Sequence, residues 1–138
     1  MESVIVNYWA VLVAALVQMV IGAVWYSPLL FGKAWLTMMN FTKESMEANK
    51  KKAQRGYLLM MLSAVVMCYV LAHFVSYVGA TTALAGALTG VWVWLGFVAT
   101  VTLGGFLWEG KSFKLYLLNV AYWLVTLILT GALLAVWV

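Results

Sequence analysis

The sequence predicts an all-α fold: a polytopic membrane four-helix bundle, both termini extracytoplasmic, with a short interfacial segment after the first helix. Three observations carry that expectation. Apolar residues make up 67% of the chain and charged residues only 9%, with a mean hydropathy of +1.03. A water-soluble domain needs about a quarter of its residues charged to clothe its surface, so lipid is the expected solvent here. The apolar residues fall into four long runs, and the basic residues are confined to two of the connections between them.

The first run covers residues 4–24 and would be about 31 Å long as a helix, enough to cross a hydrocarbon core of ~30 Å. Only Glu2 precedes it among charged residues. It lacks the basic leader of a signal peptide and is too long for one, so an uncleaved span is expected. The second run covers residues 57–78, the third 83–107 and the fourth 115–137. Runs of this length without period-two alternation indicate helices, because unpaired backbone groups in lipid cost several kcal/mol each. The four spans leave no room for a soluble catalytic domain, and residues 1–138 are expected to form a single membrane domain.

Orientation follows from charge. Lys33, Lys43, Lys50, Lys51, Lys52 and Arg55 lie between the first two spans, and Lys111 and Lys114 between the last two. The positive-inside rule places both groups in the cytoplasm, which makes 25–56 a cytoplasmic loop. The sequon at Asn40 would then stay unmodified. Within that loop "NFTKESMEANKKKAQRG" is expected to form a short polar helix, with Asn40 or Thr42 as its N-cap, that continues into the second span. Its lysine cluster also fits contact with anionic lipid.

"WYSPLLFGKAW", residues 25–35, holds the only proline of the chain. Trp25 and Tyr26 suit a membrane interface. Pro28 cannot extend a helix and disfavours helical geometry at Ser27, so the first helix should end or kink here. The apolar residues beyond it, with Lys33 turned to the headgroups, suit a segment lying along the interface; a re-entrant loop is the alternative.

Polar and small residues in spans mark helix contacts. Asn7, Ala14, Gln18 and Trp25 share one face of the first span, and Asn119, Thr126, Thr130 and Trp137 one face of the fourth. In the third, Thr89, Gly96 and Thr100 align, beside a Gly86–Gly90 pair. His73 is flanked by Tyr69 and Tyr77, one turn away on each side. An intramembrane histidine is a functional candidate, weighed against a neutral ring hydrogen-bonded between helices. His73, Tyr69, Tyr77, Gln18, Asn7 and Asn119 are therefore the candidate functional polar residues.

Other chemistry is disfavoured. The acids Glu2, Glu44, Glu47 and Glu109 all lie near or outside the interfaces, which argues against ion-driven transport. The one cysteine, Cys68, stands about 140° from His73 on a helix, so no metal set converges and no catalytic residues stand out. No cofactor is expected. "GFLWEGKS", residues 105–112, matches a phosphate-loop pattern by letters, yet it sits at the end of a span with no nucleotide domain around it. Nucleic acid is not an expected partner, because the net charge of +4 resides in membrane-proximal loops.

"NYWAVLVAALVQMVIGAVWYSPLLFGKAW" resembles the opening signature of the bacterial membrane family known as domain of unknown function 1761. The matching positions are Asn7, Ala14, Ala15, Gly22, Trp25, Tyr26, Ser27, Pro28, Leu30, Phe31, Gly32, Lys33 and Trp35. The later "GFVATVTL…LWEGKSFKLYLLNVAYWLV", with Glu109 and Asn119, is also similar. The resemblance implies four spans and a bacterial inner (plasma) membrane, and brings no agreed activity, ligand or catalytic residue. Three functions remain: an oligomeric channel or transporter-like protein for a small solute, an accessory subunit packing on a partner, and a membrane-embedded enzyme or lipid-binding protein. Enzymatic activity is the less favoured. The expected partners are the lipid bilayer, further copies of the chain or another membrane protein, with any small-molecule ligand unidentified.

Overall fold

The computed structural model describes residues 3–137. Helix α1 spans Tyr8–Trp25, α2 Gly32–Met38, α3 Lys43–Ala48, α4 Lys50–Tyr77, α5 Ala83–Trp94, α6 Gly104–Trp108 and α7 Phe113–Val136. Between α5 and α6 the chain winds as a π-helical turn, Leu95–Ala99, and a 3₁₀ turn, Val101–Leu103. Four helical stretches are long and apolar enough to cross a membrane: Tyr8–Trp25, Lys50–Tyr77, Ala83–Trp108 and Phe113–Val136. Among the described residues there is no strand.

Helix ends follow local chemistry. α1 starts at Tyr8, four residues later than its apolar run, because the Asn7 side-chain oxygen accepts the backbone N–H groups of Trp9 and Ala10 at 3.1 and 3.2 Å. Thr82 caps α5 through Ala85 N–H, and Ser112 caps α7 through Leu115 N–H, each at 3.1 Å. Thr42 and Ser45 form a reciprocal capping box on α3. The polar helix does continue into the second apolar run: only Asn49 separates α3 from α4, and α4 then runs unbroken for 28 residues.

The four long helices alternate in direction, so the basic connections lie at one end, the basic end, and the 79–82 turn at the other. α7 is the hub. It packs on α1, α4 and α5, and it buries 44% of its apolar stretch where the third span buries 17%. α1, α4 and α7 enclose a core of Ala10, Ala14, Ala15, Ala64, Cys68, Leu71, Leu127 and Leu134. Small residues dominate this core, which lets the backbones approach closely.

α5 packs chiefly on α7, and glycine makes that contact. A Cβ added at Gly86 would strike the Gly131 carbonyl, and one at Gly90 the Leu127 carbonyl. The outward faces of all four stretches remain apolar, with Leu16, Leu62, Val66, Leu88, Trp92 and Leu129 exposed. Helices that are apolar all round belong in lipid or in a large core.

Candidate functional site

Two places combine unusual chemistry with defined geometry: the turn after α1 and the surfaces of α4. In the turn, α1 ends at Trp25 and Pro28 stands in irregular chain, as a proline three residues beyond a helix end should. Ser27 organises the chain from Pro28 to Gly32. Its hydroxyl donates to the Val24 carbonyl at 2.6 Å, and its own carbonyl accepts N–H groups from Leu30 at 3.1 Å and Gly32 at 2.9 Å. Gly32 must be glycine, since an added Cβ would meet the Tyr26 carbonyl oxygen at 2.5 Å.

The turn is bolted to α7. The Trp25 indole N–H donates to the Leu118 carbonyl at 3.2 Å, and the Tyr26 hydroxyl donates to Asn119 Oδ1 at 2.8 Å. Rings close over these bonds: Trp25 lies 4.8 Å from Phe31, Tyr26 5.5 Å from Trp35 and 5.4 Å from Tyr122. Burial, and secondly the adjacent Tyr122 phenol, push the Tyr26 hydroxyl up to about 12. Tyr26 therefore stays a proton donor at any physiological pH. Lys33 is exposed at the start of α2. The signature residues thus form a clasp between the end of α1 and the start of α7.

The interior of the bundle holds few polar groups. Gln18 is 1% exposed and its Oε1 has no hydrogen-bond partner. Tyr122 reaches the Gln18 backbone oxygen at 3.4 Å from α7. Thr126 and Thr130 are fully buried, and the Thr130 hydroxyl is returned to the Thr126 carbonyl at 2.7 Å.

The hydrogen bond of His73 stays within α4. The ring Nδ1 lies 2.9 Å from the Tyr69 carbonyl of the same helix. A carbonyl only accepts, so the His73 Nδ1 carries a proton in this contact. Tyr69 and Tyr77 flank it with ring centroids at 4.7 and 6.1 Å, and Tyr8 of α1 stacks on Tyr69 at 6.4 Å. This ladder runs along the outside of the bundle. It is not brought together with Gln18, Asn7 or Asn119: Asn7 caps α1, and Asn119 belongs to the clasp. No group of three or more His, Cys, Asp or Glu converges on a metal position among the described residues.

"GFLWEGKS" does not take the form of a phosphate loop. Residues Gly104–Trp108 are the last helical turn, and Gly110 (φ +71) ends it, with Lys111 N–H returning to the Gly105 carbonyl at 3.2 Å. Residues 105–108 are thus a helix C-terminus, which presents carbonyls. The turn from there to Ser112, the N-cap of α7, joins two helices, whereas a phosphate loop wraps its N–H groups between a strand and a helix.

Three features had no clear mark in the sequence. The π turn shifts the phase of the third span, so Thr89 is buried whereas Gly96 and Thr100 are exposed. Carbonyls at this irregular stretch are taken up by hydroxyls: Gly96 by Thr100 at 2.8 Å, Val98 by Thr102 at 2.7 Å and Ala99 by Tyr116 at 2.5 Å. A lateral groove of about 450 Å³ opens between α4 and α5, lined by residues including Phe74, Val78, Leu88, Trp92 and Phe97. A smaller crevice of about 140 Å³ lies between the ends of α1, α4 and α7, beside Asn7 and Ser76.

Four apolar helical stretches, an apolar exterior and a clasp at the basic end define a class of small α-helical proteins of membrane type. The family model described as a protein of unknown function (DUF1761) matches residues 9–135, and the chain belongs to that family. No curated protein and no solved structure matches it.

Proposed function

We propose that this is a multi-pass membrane protein, with its basic end at the cytoplasmic face, that binds a ligand carrying an apolar chain in the groove between α4 and α5. The groove carries this reading. Its volume, about 450 Å³, falls in the range of small-molecule sites, roughly 300–1,000 Å³. Its walls are apolar, with Trp92 72% and Phe97 65% exposed at its edge. The one buried hydroxyl in the lining, on Thr89, is spent on the Ala85 carbonyl at 2.8 Å and offers nothing to a polar guest. An acyl or isoprenoid chain matches that chemistry.

Solute conduction within one copy has less support, because the space among α1, α4 and α7 is filled by Ala14, Ala64, Cys68, Leu71 and Leu127. An assembly of several copies, a bacterial inner-membrane location and transport by such an assembly rest on no observed contact. The test is to purify the protein in mild detergent and extract what it retains. One tightly held apolar-chain molecule per copy is expected, and Ala85→Phe, which fills the groove, should release it. Equal retention by the two proteins would remove the reading.

A further inference from the structure

α4 is longer than a bilayer requires. Its 28 residues extend about 42 Å, against ~30 Å of hydrocarbon, so about two turns at its basic end stand clear. Those turns carry Lys50, Lys51, Lys52 and Arg55, all exposed. At ~100° per residue, Lys51, Lys52 and Arg55 share one face. Leu58, Leu59 and Leu62 continue it toward the middle of the helix and are 64%, 65% and 56% exposed. The buried residues Ala64, Cys68, Leu71 and Val75 lie on the opposite side, and Phe74 and Val78 of the groove to one flank. No acid lies on α4; the nearby acids are Glu44 and Glu47 of α3.

Resting on the proposed membrane placement, though not on the groove, we propose that this face of α4 binds an anionic phospholipid. The phosphate-bearing headgroup sits on Lys51, Lys52 and Arg55, and an acyl chain follows Leu58, Leu59 and Leu62. Charge complementarity selects the headgroup: Arg55 can present two parallel N–H donors to phosphate, and the lysines add point charges. The exposed leucines directly beyond the charges select a lipid over a free anion. A zwitterionic headgroup gains little from three cations.

The experiment adds phosphatidylglycerol or phosphatidylcholine of matched chains to the purified protein in detergent and counts bound lipid by native mass spectrometry. The expected result is a preference for phosphatidylglycerol that falls on the order of 100-fold in Lys51→Gln/Lys52→Gln/Arg55→Gln, from roughly fivefold per cation. Arg55→Gln alone should lose about fivefold and serves if the triple variant does not fold. Lys111→Gln/Lys114→Gln, at the same end but in the turn before α7 and in its first residues, should keep the preference. An unchanged preference in the α4 variants, or an equal loss in the Lys111/Lys114 control, would overturn the site. So would displacement of the lipid by inorganic phosphate at equal concentration, or by a co-purifying acidic polypeptide. Protein that stays dissolved without detergent would instead overturn the membrane placement.

Discussion

Tyr26 at the end of α1 donates its hydroxyl to Asn119 of α7 across a gap of 93 residues, at 2.8 Å. That bond joins the two stretches that carry the resemblance to the family, and it turns a helix end into a tertiary contact. Removing either partner leaves the other half-buried and unpaired. Tyr26→Phe and Asn119→Ala should each lower stability by about 1 kcal/mol, with a coupling of roughly 0.6 kcal/mol in a double-mutant cycle. Denaturant titration in mixed micelles measures both; additive losses would show that the bond contributes nothing.

The same phenol yields a pH prediction. Its folded value, about 12, lies above the ordinary value of 10.0, so the clasp is intact below pH ~10 and weakens as pH rises toward about 12. The difference between the tyrosinate absorbance titrations of the native protein and Tyr26→Phe should step near pH 12. A step near 10 would mean that the hydroxyl is solvated.

Gly86 and Gly96 lie on one span and should respond in opposite ways. Gly86→Ala drives a methyl group into the Gly131 carbonyl and should cost roughly 1–3 kcal/mol by forcing α5 off α7. Gly96→Ala meets nothing within 4 Å and should be neutral or stabilise by up to about 1 kcal/mol. Thermal unfolding of the two variants decides; equal effects would disprove the close approach.

Tyr116 supports the irregular half of the third span by donating to the Ala99 carbonyl. Tyr116→Phe leaves that buried carbonyl short of a donor, at about 1–3 kcal/mol. Hydrogen exchange should quicken over residues 95–103 and stay unchanged in α1. Uniform exchange would show that the π turn is self-supporting.

Gln18 is the most buried amide of the chain, and its side-chain oxygen has no partner. Gln18→Met keeps the volume and removes the unpaired oxygen, so stability should be unchanged or higher. A loss above about 1 kcal/mol would reveal a hydrogen bond made in the native protein.

Much of the fold was legible in the chain itself. Four long apolar runs, a proline after Trp25 and a polar helix capped at Asn40 or Thr42 are local patterns; each reappears in place, with Thr42 as the cap. Hydropathy and capping act within a turn or two of sequence, which is why they can be read directly. The candidate residues fared differently. Gln18 and Asn119 do face the interior or the clasp, whereas Asn7 caps α1 and His73 is half-buried and bonded to its own helix. A lone polar residue in an apolar run signals a contact without saying with what.

The sequence by itself determined the helical class, the number of long apolar helices and the place where the first one stops. Only the tertiary structure decided that α7 is the hub, that Tyr26 meets Asn119, that the third span shifts phase at its π turn, and that a groove opens beside α5. Those outcomes depend on which helix faces which, and among helices apolar on every side that choice rests on glycine contacts and a few buried hydrogen bonds between distant residues.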